Sequence, residues 1–454
     1  NIYCTRMTGQ LLSIMLRDSA HIQESDAQWM NQKGRRAGEE PVEPLYTVAD
    51  AEAAIQHIVT CEYGTRLQIE DGVKVRFIDA GHLLGSSCVE MWLSEGDVTR
   101  KIVFSGDIGN RHQPIIRDPE YITQADYVLT ESTYGDRLHD ISQKPDYTHD
   151  LALIIDEVLG KGGNVIIPSF AVGRTQELLY FIREIKEQQL VKSIPHFQVY
   201  VDSPLAGEAT RIFSGDLRGY LDDAAIEALK GGALFQFPGL NIVESGEESK
   251  ALNMDPTPKV IISASGMCDA GRVRHHLKHN LWRPECAIVF VGYQAEGSLG
   301  RRLLNGVNCV KLFGEEIAVR AQIVRFKGLS SHADRDGLLR WIEAYTPKPR
   351  QVFVVHGSYE STDHYAATLR ERGFAAHAPD YEEVYDLLSD KLLSPGIPMP
   401  PKPAAQPNVS PAYRRLEDMG QRLMQAIAHN KGGANKDLAK FADQLRALVD
   451  KWDR

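Results

Sequence analysis

The spacing of hydrophobic positions changes twice along the chain, and each change predicts a different kind of structure. Residues 1–60 carry helix formers on both sides of a polar loop, which predicts two helices. From Thr65 the spacing becomes two, and Val73, Val75 and Phe77 alternate with charged residues as in a half-buried strand. Further strands are predicted in this part of the chain at residues 88–93, 101–104 and 127–130.

From about residue 150 short apolar runs alternate with helical patterns, which is typical of a mainly parallel sheet in an α/β protein. The apolar runs are too short to cross a bilayer, and no membrane association is expected. Strands are predicted at residues 164–167, 198–201, 259–263, 287–291, 318–326 and 351–355, and helices at 175–185, 335–344 and 359–372.

Seven prolines crowd residues 394–411, which predicts a semi-rigid or disordered linker. Beyond the linker, apolar residues recur at alternate spacings of three and four on two segments, as in a helical hairpin or a short coiled coil. Such a hairpin either packs on its own domain or forms a homodimer, and the spacing does not decide between them. The two apolar stripes comprise Leu416, Met419, Leu423 and Ile427, and Leu438, Phe441, Leu445, Leu448 and Trp452.

Composition and charge narrow the classes of function. The six cysteines are scattered and form no CxxC pair, which argues against a disulfide framework and a cysteine-type zinc site. A reducing compartment, the cytoplasm, is therefore expected. The net charge of −10 argues against a basic, nonspecific nucleic-acid binder. It does not exclude a nuclease, because bound metal ions supply local positive charge.

Five polar residues each follow a predicted strand: His82, Asp107, Glu131, His332 and His356. Because strand ends of a layered α/β protein converge at one edge, these side chains are expected to meet. Imidazole and carboxylate are ligands for zinc, and two bridged zinc ions lower the pKa of a water between them. Any one of the five alone more often caps a turn, so the prediction depends on all five occurring in order.

Several segments around these residues closely resemble successive motifs of the metallo-β-lactamase/β-CASP nucleases. The likeness covers about residues 1–390, and the chain resembles compact prokaryotic relatives of the endonuclease that processes messenger RNA 3′ ends. The segments are 79–86 (DAGHLLGS), 104–109 (FSGDIG), 130–135 (TESTYG), 168–174 (PSFAVGR), 265–268 (SGMC), 292–297 (GYQAEG), 331–334 (SHAD) and 355–357 (VHG).

The resemblance implies a role for each of the five residues. His82, Asp107 and His356 are metal ligands of a site for two zinc ions, with Asp107 bridging and also catalytic. Glu131 and His332, at motifs A and B, form the pair that protonates the leaving oxygen. Histidine at motif C, here His356, favours RNA over DNA. The implied activity is hydrolysis of RNA phosphodiester bonds through a metal-bound hydroxide, by an endonuclease that has scope for exonuclease action.

The family's HxHxDH motif, which supplies most of the zinc ligands, does not occur in the sequence. We expect the first part of the metallo-β-lactamase domain to lie before Asn1. The implied fold is an α/β metallo-β-lactamase αββα sandwich, interrupted by a parallel-sheet β-CASP domain and followed by a helical tail. The expected domains are residues 1–136 and 329–393 (metallo-β-lactamase), 137–328 (β-CASP), 394–411 (linker) and 412–454 (helical hairpin).

A β-CASP domain capping the metal edge would form a narrow channel for single-stranded RNA. Candidate substrate-binding residues are Ser265 and Gly266, whose backbone amides suit a phosphate, together with Arg174 and His276.

Three alternatives are a small-molecule hydrolase, an inactive RNA-processing scaffold and a DNA nuclease. The large cap argues against a small-molecule hydrolase, and the presence of all five residues argues against an inactive scaffold. His356 argues against a DNA nuclease.

Overall fold

The computed structural model of the chain describes residues 1–35, 38, 40–139, 146–230, 234–326, 329–398, 411–431 and 435–452. These form two compact units. The larger unit comprises residues 1–379 and 384–394, and the smaller one residues 380–383 and 395–454.

The alternating pattern near residue 75 forms part of a seven-stranded mixed sheet. Antiparallel pairing joins its first four strands in the chain, and parallel pairing joins the others. In sheet order the strands are Ala376–His377 (β17), Gln351–Val354 (β16), Tyr127–Thr130 (β7), Val98–Phe104 (β6), Ser87–Glu95 (β5), Val73–Asp79 (β4) and Arg66–Glu70 (β3).

The register of this sheet aligns the strand ends that precede the predicted site. Phe104 pairs with Leu129, and Leu129 pairs with Phe353, so β6, β7 and β16 end side by side. Strand β4 runs in the same direction, because it is antiparallel to β5, which is antiparallel to β6. The residues that follow these four strands therefore share one edge of the sheet.

Two helices cover one face of the seven-stranded sheet: Arg335–Ile342 (α10) and Tyr359–Glu371 (α11). Trp341 and Leu369 pack against a core that includes Val103, Val128 and Val352, all of them fully buried. Full burial of one such side chain is worth about 1.5–3 kcal/mol. This packing fixes the sheet edge that carries the site.

The block from residue 150 forms a six-stranded sheet in which every pair is parallel, as the alternation predicts. Its three central strands are largely apolar and are buried on both faces, because helices cover both sides. In sheet order they are Leu240–Ile242 (β10), Gln198–Asp202 (β9), Lys259–Ser263 (β11), Val165–Pro168 (β8), Ala287–Phe290 (β12) and Gln322–Arg325 (β15). The helices are Tyr147–Gly160 (α3), Arg174–Glu187 (α4), Pro204–Phe213 (α5), Asp223–Lys230 (α6), Gly246–Met254 (α7), Val273–Asn280 (α8) and Leu299–Leu304 (α9).

The helices predicted in residues 1–60 are confirmed as Arg6–Gly34 (α1) and Val48–Ile55 (α2). The Thr5 hydroxyl accepts from the Thr8 amide at the start of α1, and Thr47 forms a capping box at the start of α2. Two short parallel strands, Ile2–Thr5 (β1) and Ile58–Cys61 (β2), flank these helices and carry too few residues for a sequence pattern to reveal them.

The single strand predicted at residues 318–326 is wrong. The structure has a hairpin of Cys309–Leu312 (β13) and Glu315–Ala318 (β14), followed by the separate strand β15. The amides of Arg320 and Ala321 donate to the Leu281 carbonyl, so the chain between β14 and β15 does not continue as a strand. A second hairpin, Val384–Asp386 (β18) and Lys391–Ser394 (β19), follows residue 380.

The smaller unit contains the predicted helices, Pro411–His429 (α12) and Asn435–Trp452 (α13). Leu423, Leu438, Phe441 and Leu445 are partly covered, whereas Leu416 and Leu448 are exposed. Most of the predicted linker, residues 399–410, lies outside the described residues. Homodimerisation stays a prediction. In the described part of the chain no helix combines the length and hydropathy that crossing a bilayer requires.

Candidate active site

Backbone contacts lock the loops after β4 and β6 to the loop before α10. The Gly109 amide donates to the Ala80 carbonyl at 2.8 Å, and the Ala333 amide donates to the Ile108 carbonyl at 2.8 Å. A Cβ atom on Gly109 would lie 1.7 Å from the Gly81 carbonyl oxygen, so only glycine fits there. The loops that carry His82, Asp107 and His332 are thereby held against one another.

Asp107 lies between two of the predicted metal ligands. Its Oδ2 is 3.8 Å from His82 Nε2, and its Oδ1 is 3.4 Å from His356 Nε2. Both separations exceed ordinary hydrogen-bond lengths. Two ligands about 2.1 Å from one zinc ion at a tetrahedral angle lie about 3.4 Å apart. Each of these two pairs of donor atoms therefore fits a metal ion held between them better than a direct hydrogen bond.

His82 is buried, and its Nδ1 makes no hydrogen bond to any described residue. Burial and the neighbouring His332 lower the pKa of His82. The charges of Asp107 and Glu131 and the Ser331 carbonyl act in the opposite direction but do not outweigh them. The lowered pKa favours the neutral ring, which is the form that binds a metal.

His356 differs from His82 in exposure, since 62% of its side chain is accessible. Its backbone has a φ of 45°, and its carbonyl accepts from the Ser132 amide at 3.0 Å. This left-handed conformation at the end of β16 turns the chain beside Asp107. The third predicted ligand is therefore present at the site on a solvent-accessible loop.

Glu131 and His332 form the predicted pair. His332 Nδ1 lies 3.1 and 3.2 Å from the two Glu131 oxygens, which also accept from the amides of Ile108 and Thr133. Burial alone would raise the pKa of Glu131, but these bonds, that with His332 foremost, lower it. Burial opposes protonation of His332, yet Glu131 and then Asp107 raise its pKa. The arrangement favours an imidazolium beside a carboxylate.

His332 also lies among the metal donors, which the sequence did not indicate. Ligand atoms of His82, Asp107 and His332 all lie within 4.8 Å of one another. The rings of His82 and His332 are 4.4 Å apart. Because Nδ1 of His332 faces Glu131, its other ring nitrogen would face a metal or a substrate. The geometry thus allows His332 to act as acid or as ligand.

Arg174 lies close to the site but is buried. Its guanidinium forms an ion pair with the buried Glu177, and Nη2 donates to the Ser331 hydroxyl at 3.2 Å. Burial raises the pKa of Glu177, although the charge of Arg174 opposes this. Arg174 therefore connects the start of α4 to the residue before His332. A direct contact with substrate stays a prediction.

Ser265 and Gly266 follow β11, as predicted, and both are at least partly covered. The Ser265 amide donates to the Ala270 carbonyl at 3.3 Å, so it already has a partner within its own turn. The prediction that backbone amides here hold a phosphate therefore rests on Gly266.

The structure does not support direct contact between His276 and a substrate. The ring is fully buried, with Nε2 2.6 Å from the Asp202 carboxylate and Nδ1 2.9 Å from the Asn253 side chain. Asp202 also accepts from Ser249 and Arg272. Because both of its nitrogens are engaged in the interior, His276 instead joins α8 to the end of β9 and to α7.

Asp202→Asn is expected to lower the free energy of unfolding by about 3 kcal/mol at pH 7, because Arg272 and His276 lose a buried charged partner. Burial alone would raise the pKa of Asp202, but hydrogen bonds from His276, Ser249 and Arg272 lower it. Such a carboxylate contributes stability above its unfolded pKa of about 3.9, and the contribution is lost as pH falls through the lower folded-state pKa.

Urea unfolding at pH 7 and near pH 3 tests this expectation. The difference between parent and variant should shrink in acid. Asp216→Asn is the matched control, because Asp216 forms a solvent-exposed pair with Arg218, and such pairs contribute little to stability. Equal effects of the two substitutions at pH 7 would contradict the role of the Asp202 network.

A cleft of about 850 Å³ opens beside His82 and His332. Its walls come from both large sheets and include exposed aromatic residues, Phe170 and Tyr293. The segments around residues 168–174 and 292–297 stand out in the sequence, but nothing in the pattern singles out these two side chains. A concave, largely apolar cleft with a few polar groups is the usual form of a ligand site.

Comparison with known proteins agrees with this architecture. Residues 175–303 match the Beta-Casp domain family. Residues 316–379 match the family described as the Zn-dependent metallo-hydrolase RNA specificity domain.

The chain is similar to Ribonuclease TTHA0252 of Thermus thermophilus, with 36% identity over 79% of this chain and 75% of that protein. It is 29% identical to an RNase J-like protein of Methanocaldococcus jannaschii over 81% of this chain and 79% of the relative. Transcription termination factor FttA of the same organism is 28% identical over 81% of this chain, which spans 56% of that longer protein.

Proposed function

We propose that this chain, which belongs to the metallo-β-lactamase/β-CASP family of metal-dependent RNA hydrolases, cleaves single-stranded RNA internally with the help of zinc. One observation carries the proposal. Asp107 has one oxygen near His82 and the other near His356, and the Glu131–His332 pair lies beside them next to a cleft. The residues that would bind the metal and the residue that would donate a proton therefore lie close enough to act on the same phosphodiester bond.

His82, Asp107 and His356 would hold the metal, with His332 as a further donor within reach. When bound, zinc supplies positive charge for the phosphate and lowers the pKa of the attacking water. Asp107 would serve as a ligand to two zinc ions, because one of its oxygens faces His82 and the other faces His356.

His332 would hold the proton that the leaving oxygen of the broken phosphodiester bond needs. Glu131 keeps the ring oriented through Nδ1 and favours its protonated form. Glu131 is itself fixed by the amides of Ile108 and Thr133, so the pair is positioned before substrate binds. Arg174 and Gly266 are proposed to contact the RNA backbone along the cleft.

The proposal is tested with zinc-loaded, full-length protein and three labelled substrates of one sequence: linear RNA, circular RNA and single-stranded DNA. Both RNAs should be cut, because an internal cut needs no free end, and DNA should be cut many-fold more slowly. Removing zinc with a chelator should stop cleavage. A protein that binds RNA without cutting it would be a scaffold, and faster cutting of DNA would indicate a DNA nuclease. An intact circle beside a degraded linear strand would indicate an exonuclease.

We also propose a cytoplasmic location, since all six cysteines are free thiols. Burial raises the pKa of the Cys4 and Cys286 thiols, which makes them poor nucleophiles. No role in the chemistry is proposed for any cysteine.

A further inference from the structure

Two large aromatic side chains are exposed within the cleft. Phe170 is 46% accessible and Tyr293 is 55% accessible, and both line the same cleft as His82 and His332. Isolated apolar residues on a convex surface need no explanation, whereas aromatic faces inside a concave site mark a ligand contact. The location of Phe170 and Tyr293 inside the cleft therefore indicates contact with a ligand.

The two residues follow neighbouring strands at the centre of the six-stranded sheet. Strand β8 pairs with β12 on one side and with β11 on the other, all in parallel. The loops after β11, β8 and β12 consequently lie side by side at one edge. Phe170 belongs to the middle loop, and Tyr293 belongs to the loop after β12.

Glycines in the two outer loops leave the Phe170 ring uncrowded. A Cβ atom on Gly266 would lie 3.3 Å from ring atoms Cδ2 and Cε2, and one on Gly292 would lie 3.9 Å from Cε2. Any larger side chain at Gly266 would press against the ring. The small residues thus keep the ring in place while leaving its surface open.

One buried side chain ties these outer loops together. Nε2 of Gln294 donates to the Gly266 carbonyl at 2.9 Å and to the Tyr293 carbonyl at 3.1 Å, and lies 3.4 Å from the Gly292 carbonyl. This amide bridges the loops after β11 and β12, on either side of the loop that carries Phe170. The aromatic wall is therefore fixed by buried hydrogen bonds.

From this arrangement we infer that Phe170, with Tyr293 in the adjacent loop, is a stacking platform for one nucleobase of the RNA strand whose backbone reaches His332. The inference rests on the proposed function and adds a named base-binding position. Stacking accepts any base, because every base has a π face. The Arg301 guanidinium, which pairs with Glu296 at 2.8 Å, lies 5.9 Å from the Tyr293 ring centroid at this wall.

The test measures binding of single-stranded RNA in which an abasic nucleotide replaces each position in turn. A stacked base is worth a factor of about 5 to 150 in affinity, so wild-type protein should lose that factor at one position. Phe170→Ala should bind intact RNA more weakly by the same factor and lose nothing further at that position. Phe170→Trp should restore the discrimination, and Phe170→Leu, which keeps apolar bulk without a ring, should not.

Trp282→Ala is the matched control, since Trp282 is 53% accessible but does not line the cleft. It should bind and discriminate like the wild type. The platform is refuted if Phe170→Ala still discriminates against the abasic position, or if no position matters in the wild type. A wild-type protein that discriminates at one position yet never cuts RNA would refute the proposed function and leave the platform intact.

Discussion

Asp107→Ala is expected to lower zinc content and RNA cleavage together. The carboxylate has one oxygen 3.8 Å from His82 Nε2 and the other 3.4 Å from His356 Nε2, so its removal takes a donor from each side of the site. Removing residues that merely support a ligand costs about 10- to 100-fold in metal affinity or activity. Loss of a direct, shared ligand should cost more than about 100-fold.

Metal analysis of the purified variant and single-turnover cleavage of labelled RNA measure the two losses. Asp216→Asn, on an exposed pair far from the site in sequence, should change neither. Normal zinc content in Asp107→Ala would show that the metal is held without this carboxylate, and the assignment of Asp107 would fall.

His332→Ala is expected to separate cleavage from metal binding. A general acid contributes about 10²- to 10⁴-fold to the rate, and cleavage should fall within that range. Zinc content should stay near that of the parent, because Nδ1 of His332 is engaged by Glu131 and the three predicted ligands remain. The same pair of measurements, metal content and single-turnover rate, applies.

The structure also supplies the competing outcome, since His332 lies within 4.8 Å of the donors on His82 and Asp107. If zinc content falls with cleavage in His332→Ala, the residue is a ligand and the acid is another group.

Glu131→Gln gives an independent check of the acid assignment. Glu131 raises the pKa of His332, so its neutralisation should let His332 lose its proton at lower pH. The alkaline decline in rate should then begin at lower pH than in the parent.

Much of this site could be predicted from the sequence because it depends on strand ends. His82, Asp107 and His356 each follow a strand that the sequence pattern predicts, and the parallel directions of β4, β6 and β16 bring those ends to one edge. The parallel order of the second large sheet could likewise be predicted, since apolar runs alternating with helices allow few other arrangements.

Features that depend on three-dimensional packing could not be predicted. His276 stands in a basic segment, and only the structure shows that Asp202 and Asn253 take up both of its nitrogens. The break between β14 and β15 comes from amides that bond to Leu281, roughly forty residues earlier in the chain. Phe170 is one apolar residue among many until the two flanking glycines are placed beside it.

The position of β16 in the seven-stranded sheet has a consequence for how the protein is made. This strand lies between β7 and β17, and β7 precedes it in the chain by more than two hundred residues. During translation, Asp107 and Glu131 leave the ribosome long before His356 does. A nascent chain that ends short of residue 356 therefore has no complete set of these groups, and the site forms only after β16 has been synthesised and has paired with β7.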